Sequence, residues 1–315
     1  MSRIDLADGP DVGMAWHFGR PLAEQRSMDE GSAAAELASR EIFTISGDQR
    51  LTWLHTVTTQ ALESLKPGEG ADALVLSPTG QITHGFGLVD DGAVAWCWSE
   101  PGDREPLLAW LESMKFWTPV EIEARDDLHL WWLGREVSLP TAAVVQRPGA
   151  IAGGSWAILP ARSGISEPTL AAVNEVGQWA YEAIRIAEGV PRIGLDTDAK
   201  TLPNELGLFG TALDKGCYPG QETVARVQTL GRPPRRLVRL LFDGDLPSPG
   251  ATISLNDRVI GRVGTLAQHY ELGPVGLGLV KRSTPVDATL VVDGIAAAQE
   301  ALVDPEVGEH FRPKL

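Results

Sequence analysis

Hydrophobic residues recur with two different periods before about residue 230, and this mixture predicts an α+β protein. Alternation of apolar and polar residues, which Glu-Ile-Phe-Thr-Ile-Ser at residues 41–46 shows over most of its length, is typical of a half-buried strand. Leucines three or four residues apart after Gly47-Asp48 indicate an amphipathic helix. On these patterns the predicted strands are residues 41–46, 73–77, 82–89, 93–98, 120–124 and 128–133, and the predicted helices are residues 50–65, 106–114, 167–187 and 221–228.

The pattern changes after Gly231-Arg232-Pro233-Pro234, which is the best candidate for a linker. Short apolar runs separated by turns follow, and the predicted strands there are residues 236–242, 251–255, 259–266, 276–280 and 289–292. Strands of this length and spacing favour a small antiparallel barrel or sandwich. Residues 1–32 are acidic and punctuated by glycine and proline, so we expect an irregular arm there.

Composition restricts the possible functions. The chain has 315 residues, 43% of them hydrophobic, with a formal net charge of -15. This charge argues against nucleic-acid partners and against docking on anionic membranes. No apolar run approaches the about 20 residues of a membrane span, and the first residues lack a secretory pattern. With only two cysteines, a reducing setting and therefore a cytoplasmic location are expected.

The segment Lys-Gly-Cys-Tyr-Pro-Gly-Gln-Glu at residues 215–222 carries the most distinctive chemistry. It places Cys217 beside a cation and just before a predicted helix, and both features favour the reactive thiolate. The alternative is that Cys217 is a small, inert core residue. No metal site is predicted, because the six histidines are scattered and the two cysteines lie far apart.

This segment resembles the signature of the YgfZ-type folate-binding proteins, which are relatives of the T protein (aminomethyltransferase) of the glycine cleavage system. Two further segments are similar to the same family, namely Arg-Ile-Ala-Glu-Gly at residues 185–189 and Leu-Pro-Asn-Glu at residues 202–205. The resemblance extends over most of the chain from about Gly31 onward. It implies a folate-binding α+β core with a ferredoxin-like part at residues 33–231, built from two interleaved subdomains, and a C-terminal antiparallel β-barrel at residues 232–315.

The resemblance assigns the pterin to Glu188, because the matching glutamate of the T protein holds this ring. A carboxylate can accept two parallel donors, as the 2-amino group and ring N3–H of a folate require. The alternative is a solvated glutamate that pairs with Arg185 three residues earlier. The resemblance also places Glu205 in the same cavity, whereas the residue alone is compatible with a surface carboxylate or a helix cap.

The remaining candidate site residues surround the cysteine. Lys215 could meet the glutamate tail of the folate or keep Cys217 ionised, and a structural ion pair explains it equally well. Tyr218, Gln221 and Arg226 complete the polar cluster assigned to cofactor binding, although Arg226 is also expected to pair with Glu222 on its helix. The arginines at positions 226, 232, 235, 236 and 239 suit a polyglutamylated folate tail or an acidic partner, or they balance neighbouring carboxylates.

Three functions therefore stay open. The first is a tetrahydrofolate-binding accessory factor that helps to assemble or repair iron–sulfur proteins, with Cys217 as the reactive group. A lone cysteine could supply one ligand to a shared cluster, which normally takes four. The second is a folate-dependent one-carbon transferase. It is disfavoured because Gly-Gln-Ile-Thr-His-Gly at residues 80–85 has His84 where the T protein has an acidic residue. The third is a non-catalytic folate-binding scaffold.

Overall fold

The computed structural model describes residues 2–141, 143–161, 173–229 and 231–307. In chain order the strands are β1 (Ile4–Asp5), β2 (Ala15–His17), β3 (Ala33–Leu37), β4 (Glu41–Ser46), β5 (Gly70–Leu76), β6 (Ile82–Asp90), β7 (Val94–Ser99), β8 (Glu121–Arg125), β9 (Leu128–Leu133), β10 (Val145–Pro148), β11 (Ser155–Pro160), β12 (Asn174–Val176), β13 (Arg235–Phe242), β14 (Thr252–Leu255), β15 (Arg258–His269), β16 (Gly273–Lys281), β17 (Leu290–Val292) and β18 (Ile295–Ala301). The helices are α1 (Pro21–Asp29), α2 (Arg50–Val57), α3 (Arg104–Lys115), α4 (Gln178–Glu188) and α5 (Gln221–Thr229), with short 3₁₀ helices at Ile151–Gly153 and Pro203–Leu206.

The chain divides into two compact units that interleave in sequence. The first unit comprises Met1–Val57, Ala61–Ala73 and Gly85–Ile184, and the second comprises Thr58–Gln60, Leu74–His84 and Arg185–Leu315. Strands β5 and β6 and helix α4 each pass from one unit into the other. The predicted boundaries at residues 33–231 and 232–315 stay predictions.

Two five-stranded sheets account for most strands before residue 180. One has the order β5-β6-β7-β4-β8, and the other has the order β10-β11-β9-β3-β12. Apolar strand residues supply their cores. Examples are Ile42, Phe43 and Ile45 on β4, all buried, and this strand ends at the predicted residues. The α+β class predicted from the two hydrophobic periods is thus confirmed.

The second unit contains a closed antiparallel barrel with the strand order β13-β16-β15-β14-β17-β18. Strand β13 closes it by pairing with both β16 and β18. The barrel core consists of Val238, Leu240, Phe242, Ile253, Val263, Val280, Leu290, Val292 and Ala297. The predicted barrel is confirmed. Strand β18 was not predicted, because its sequence Ile-Ala-Ala-Ala-Gln-Glu-Ala lacks the large β-branched and aromatic residues that signal a strand.

The predicted helix at residues 50–65 is too long, since α2 ends at Val57. Thr59 instead pairs with Leu74: its N–H donates to the Leu74 carbonyl at 2.9 Å, and its Oγ1 accepts the Leu74 N–H at 2.9 Å. The run Thr56-Val57-Thr58-Thr59 consists of β-branched residues, which have low helix propensity. The helix therefore ends before Thr59, which makes these hydrogen bonds with Leu74 instead.

The predicted helix at residues 167–187 is also partly wrong. Residues 167–172 lie outside the described part of the chain, Asn174–Val176 forms β12, and α4 begins only at Gln178. Strand β12 pairs in parallel with β3, an arrangement that local periodicity does not reveal.

The arm at residues 1–32 is not irregular throughout, because it contains α1. Pro21 starts this helix, where the missing N–H of a proline costs nothing. Glu24 Oε1 then accepts the N–H groups of Phe18 and Arg20 at 2.8 and 3.1 Å. Across the parts of the chain that the structure describes, no helix is long and apolar enough to cross a bilayer.

Candidate functional site

Cys217 lies on an extended loop of the second unit, and its side chain is exposed to solvent. The loop runs into α5, whose first residue, Gln221, follows four positions later, as predicted. Tyr218, the next residue, is buried, and this burial raises the pKa of its phenol. The thiol is therefore accessible beside an anchored aromatic ring, and the inert-core alternative for Cys217 is wrong.

Lys215 is buried two residues before the thiol. Its Nζ donates to the carbonyl oxygens of Thr58 and Gln60 at 2.5 and 3.1 Å. The same ammonium lies 4.9 Å from the ring centroid of Tyr218, within the range of a cation–π contact. Lys215 thus links the loop to residues 58–60 and to the ring that follows the cysteine.

Two glycines fit the loop against the turn at residues 77–80. A Cβ at Gly220 would lie 2.6 Å from the Ser77 carbonyl oxygen, and one at Gly80 would lie 2.7 Å from Thr223 Cβ. Both glycines also have a positive φ, of 81° and 89°, which other residues rarely adopt. The close approach fixes where the loop ends and α5 begins.

Gln221 and Arg226 lie on α5. Gln221 Nε2 donates to the Lys215 carbonyl at 3.4 Å, so its side chain braces the loop. Arg226 pairs with Glu222, as the four-residue spacing predicts, and both side chains are exposed. Such an exposed pair contributes only a few tenths of about 1 kcal/mol to stability.

Glu188 is the last residue of α4 and is exposed. The Ala187 carbonyl beside it accepts a hydrogen bond from Arg239 Nη1 on strand β13. Gly189 follows with a φ of 75°, and a Cβ there would lie 2.8 Å from the side chain of Leu302. The backbone around Glu188 is thus held by the barrel, while the carboxylate side chain reaches solvent.

Arg185, three residues earlier, has a different environment. Its guanidinium is buried, with Nη1 3.2 Å from Asp196 Oδ2 and Nη2 donating to Thr265 Oγ1 at 2.6 Å. Asp196 Oδ1 also accepts the N–H of Thr265 at 2.7 Å. Arg185 was predicted to bind cofactor. Its contacts instead connect the end of α4 to strand β15.

Glu205 is completely buried in the 3₁₀ helix Pro203–Leu206. Its Oε1 accepts Arg235 Nε at 2.9 Å, and its Oε2 accepts Arg235 Nη2 at 2.8 Å and the Leu202 N–H at 3.0 Å. The helix-cap interpretation of Glu205 therefore holds. The predicted role in lining a cofactor cavity does not fit, because both oxygens are engaged by protein donors.

Arg235 also binds Asp198, with 2.6 Å between Nη1 and Oδ2. The hydrogen bonds from Arg235 are the main reason that the pKa of Asp198 lies well below its ordinary value. Arg235, Asp198 and Glu205 form one ion-pair cluster, called the Arg235 cluster below, in which Glu205 is completely buried and the other two side chains are partly exposed. Asp196 and Asp198 were not singled out in the sequence, and their spacing of two after Gly194 offered only a weak signal.

Each arginine of the predicted basic run contacts a carboxylate or carbonyl acceptor of this chain. Arg226 contacts Glu222, Arg232 contacts Glu306, Arg235 contacts Asp198 and Glu205, Arg236 contacts the carbonyls of Lys281 and Arg282, and Arg239 contacts Glu300. These contacts favour charge balancing over a binding surface for a polyglutamate tail. Among the residues that the structure describes, no three His, Cys, Asp or Glu side chains are grouped so that they could hold a metal ion.

Comparison with known proteins finds one matching domain family and several proteins of similar sequence. The CAF17 C-terminal beta-barrel domain matches residues 235–302, which coincide with the closed barrel. The mitochondrial iron-sulfur cluster assembly factor IBA57 of Mus musculus is 27% identical over 316 residues, covering 89% of this chain and 81% of that protein. The tRNA-modifying protein YgfZ of Vibrio atlanticus is 24% identical over 274 residues, covering 79% of this chain and 84% of that protein.

The fold agrees with these sequence matches. The crystal structure of the glycine cleavage system aminomethyltransferase T from Bartonella henselae has a TM-score of 0.77 and 17% identity, covering 97% of this chain and 95% of that one. Together these matches support the predicted relationship to YgfZ-type proteins and to the glycine cleavage T protein. The family and fold predicted from the sequence are confirmed. The roles of Glu188 and Cys217 stay predictions, and both residues are exposed on the second unit.

Proposed function

We propose that this protein is a tetrahydrofolate-binding accessory factor for iron–sulfur proteins, with Cys217 as its reactive group. The observation that carries the proposal is an exposed thiol on a loop that Lys215 and two glycines hold in place. A fixed, accessible thiol suits contact with a sulfur donor or with a cluster on a client protein. A flexible thiol would lose conformational entropy in the same contact.

The other cysteine differs in every relevant property. Cys97 is fully buried in strand β7, and burial raises the pKa of its thiol well above the ordinary value. Because the thiolate is the nucleophile and the metal ligand, Cys97 is unsuited to either role. The proposed chemistry therefore depends on Cys217 alone, which can supply one ligand or one nucleophile.

The residues near the end of α4 fit a folate in part. The exposed carboxylate of Glu188 has the acceptor chemistry that the 2-amino and N3–H donors of a pterin need. Arg185 and Glu205 do not fit as folate ligands, because both are buried in ion pairs with the protein. Bound tetrahydrofolate would supply one-carbon or reducing chemistry, while Glu188 would fix the orientation of its ring.

The relatives support an iron–sulfur role. The mouse relative is named an iron-sulfur cluster assembly factor and the Vibrio relative a tRNA-modifying protein. We therefore propose iron–sulfur clients or assembly proteins as partners. The net charge of -15 disfavours direct binding to an RNA backbone. We propose a cytoplasmic setting from the low cysteine content, although the mouse relative is mitochondrial.

Aminomethyl transfer is not proposed. The start of β6 has Thr83 and then His84, where the T-protein resemblance requires a carboxylate. The likeness to the Bartonella henselae structure, at 17% identity, establishes the fold only.

Calorimetric titration with tetrahydrofolate tests the pterin assignment. We expect Glu188→Gln to weaken binding by about 10- to 100-fold, since the amide carries no charge and its single oxygen can accept only one of the two pterin donors. The control is Glu105→Gln, which changes an exposed carboxylate on α3 and should bind like the wild type. Equal affinities for wild type and Glu188→Gln would show that Glu188 does not bind the pterin.

Complementation tests the cysteine. In cells that lack the protein, we expect Cys217→Ser to leave iron–sulfur client enzymes inactive although the purified variant binds tetrahydrofolate normally. Cys97→Ser is the matched control and should restore the clients if it folds, which its thermal unfolding will report. Full restoration by Cys217→Ser would contradict the proposal, because an alcohol replaces a thiolate poorly as a ligand or nucleophile.

A further inference from the structure

Two neighbouring aromatic side chains protrude from the first unit. Trp117 is 98% exposed and Phe116 is 79% exposed, whereas no other large apolar residue that the structure describes as exposed exceeds 56%. They follow the last residue of α3, Lys115, in a turn closed by the Thr118 N–H and the Lys115 carbonyl at 2.9 Å. Single exposed apolar residues are common, but two adjacent and almost completely exposed aromatics need an explanation.

The backbone at this turn is strained. Phe116 has a φ of 47°, in the left-handed region where a glycine is the usual choice and a bulky side chain is an outlier. Such a conformation costs on the order of 1–3 kcal/mol. Helix α3 buries Leu107 and Leu111 on its other face, so the turn is not needed to cover that core. An aromatic residue at this position therefore weakens the fold without filling any interior space.

The surface beside the aromatic pair is acidic and includes an open sheet edge. Strand β8 begins four residues after Trp117, pairs with β4, and is the last strand of its sheet. Residues 103–127 contain seven acidic and three basic residues. The three basic residues are already paired, Arg104 with Asp126, Lys115 with Glu112 and Arg125 with Asp127.

Glu121 and Glu123 add two negative charges to this edge. Both lie on β8, both are exposed, and neither has an ion pair among the residues that the structure describes. Being two residues apart on a strand, they project from the same face. Preventing aggregation is in itself a sufficient function for charged residues on an edge strand. That function does not explain why a strained turn displays Phe116 and Trp117 next to them.

We propose that Phe116, Trp117 and strand β8 form a docking surface for a basic, extended segment of a partner protein. The segment would add to the free edge of β8 through backbone hydrogen bonds, with its lysines or arginines facing Glu121 and Glu123. Trp117 would enter an apolar socket of the partner, since tryptophan is the side chain most enriched among residues that dominate binding energy. A second copy of this chain is a poor occupant because each copy carries a net charge of -15.

Site-specific cross-linking tests this surface in the full-length protein. A photoreactive phenylalanine at position 117 should capture a protein with a basic segment in cells, whereas the same residue at Leu22, which is 44% exposed on α1, should not capture it. The captured protein is then purified and becomes the defined probe for binding measurements. Failure to capture a protein, or capture of only a second copy, would overturn the proposal.

Binding measurements with this purified probe separate the contribution of Trp117 from that of Glu121 and Glu123. We expect Trp117→Ala to weaken binding at least about 10-fold, and the double variant Glu121→Gln/Glu123→Gln to weaken it several-fold and flatten its salt dependence. The matched control is Asp243→Asn/Glu271→Gln, which neutralises two exposed carboxylates on the barrel and should change affinity less than about twofold. Unchanged affinity for Trp117→Ala would contradict the proposal. All these side chains are exposed, so loss of folding is not expected, and thermal unfolding checks this.

Discussion

The family-like segments of the second unit place some of their polar residues in the interior and others in solvent. In the segments at residues 185–189 and 202–205, Arg185 and Glu205 lie in buried ion pairs, whereas the side chain of Glu188 is exposed. The segment at residues 215–222 buries Lys215 and Tyr218 and leaves Cys217 exposed between them. In each case the buried polar groups stabilise the fold, and the proposed chemistry falls on an exposed residue.

This comparison shows that membership of a recognised motif does not give a residue a chemical role. Arg185 and Glu205 belong to the family-like segments as fully as Glu188 does, yet their contacts join secondary structure elements of the second unit. Burial separates the two groups. If the distinction is correct, variants of the buried residues should lower stability, and variants of the exposed ones should lower activity.

The largest effect on stability is expected for Arg235→Met. It would leave the completely buried carboxylate of Glu205 without its bidentate partner, which costs about 3 kcal/mol or more in the free energy of unfolding. Urea unfolding measures the loss. Arg226→Met is the matched control, because its exposed pair with Glu222 should contribute less than about 0.5 kcal/mol. Similar losses in the two variants would mean that the Arg235 cluster is not a stabilising element.

A smaller loss is expected for Lys215→Met, which keeps the apolar stem and removes the ammonium. The carbonyl oxygens of Thr58 and Gln60 would lose a buried donor, at a cost of about 1–3 kcal/mol. Hydrogen exchange should accelerate at residues 58–60 and 215–221. Lys281→Met is the control, since Lys281 is exposed and donates to the Val259 carbonyl at 3.2 Å. A stability equal to that of the wild type would show that Lys215 does not hold the loop.

The turn beneath the cysteine loop gives a third test. Gly80→Ala combines an unfavourable positive φ with a Cβ placed 2.7 Å from Thr223 Cβ, so we expect a loss of about 2 kcal/mol. Gly68→Ala has a similar φ of 86° and open space around it, so it should show only the backbone strain of about 1 kcal/mol. The difference in the urea midpoints of the two variants reports the packing of the turn against α5. No difference would mean that the close approach is dispensable.

What could be predicted from the sequence is local in character. Strand β4 was predicted with its correct ends, because alternation over six residues needs no distant information. The pair of Glu222 and Arg226 followed from helical spacing alone.

What could not be predicted depends on contacts between distant residues. The Arg235 cluster joins residues about 30 to 37 positions apart, which meet only when the barrel forms. The length of α2 was wrong because Thr59 pairs with Leu74, fifteen residues later. The exposure of Phe116 and Trp117 could not be predicted, since a sequence does not show which apolar side chains remain exposed.

The ion pairs also predict how stability responds to acid. The pKa of Asp198 is lowered in the folded protein mainly by Arg235, so the unfolded chain binds the proton first, near the ordinary value of 3.8. The stabilisation is therefore complete above this pH and is lost as the pH falls below it. Urea unfolding between pH 5 and about 2.5 should show a shallower decline for Asp198→Asn than for the wild type. Parallel declines would show that the ion pair between Asp198 and Arg235 does not contribute to stability.

The smallest effect on stability is expected where the chemistry is proposed. Cys217→Ser changes an exposed side chain, so the free energy of unfolding should stay within about 0.5 kcal/mol of the wild type. Iodoacetamide should label one thiol in the native wild type and none in native Cys217→Ser, because Cys97 is buried and its pKa is raised by burial. In urea both proteins should gain the Cys97 label, which confirms that burial protects it. Rapid labelling of native Cys217→Ser would show that Cys97 is also accessible. The contrast between a buried scaffold and a single available thiol would then no longer describe this protein.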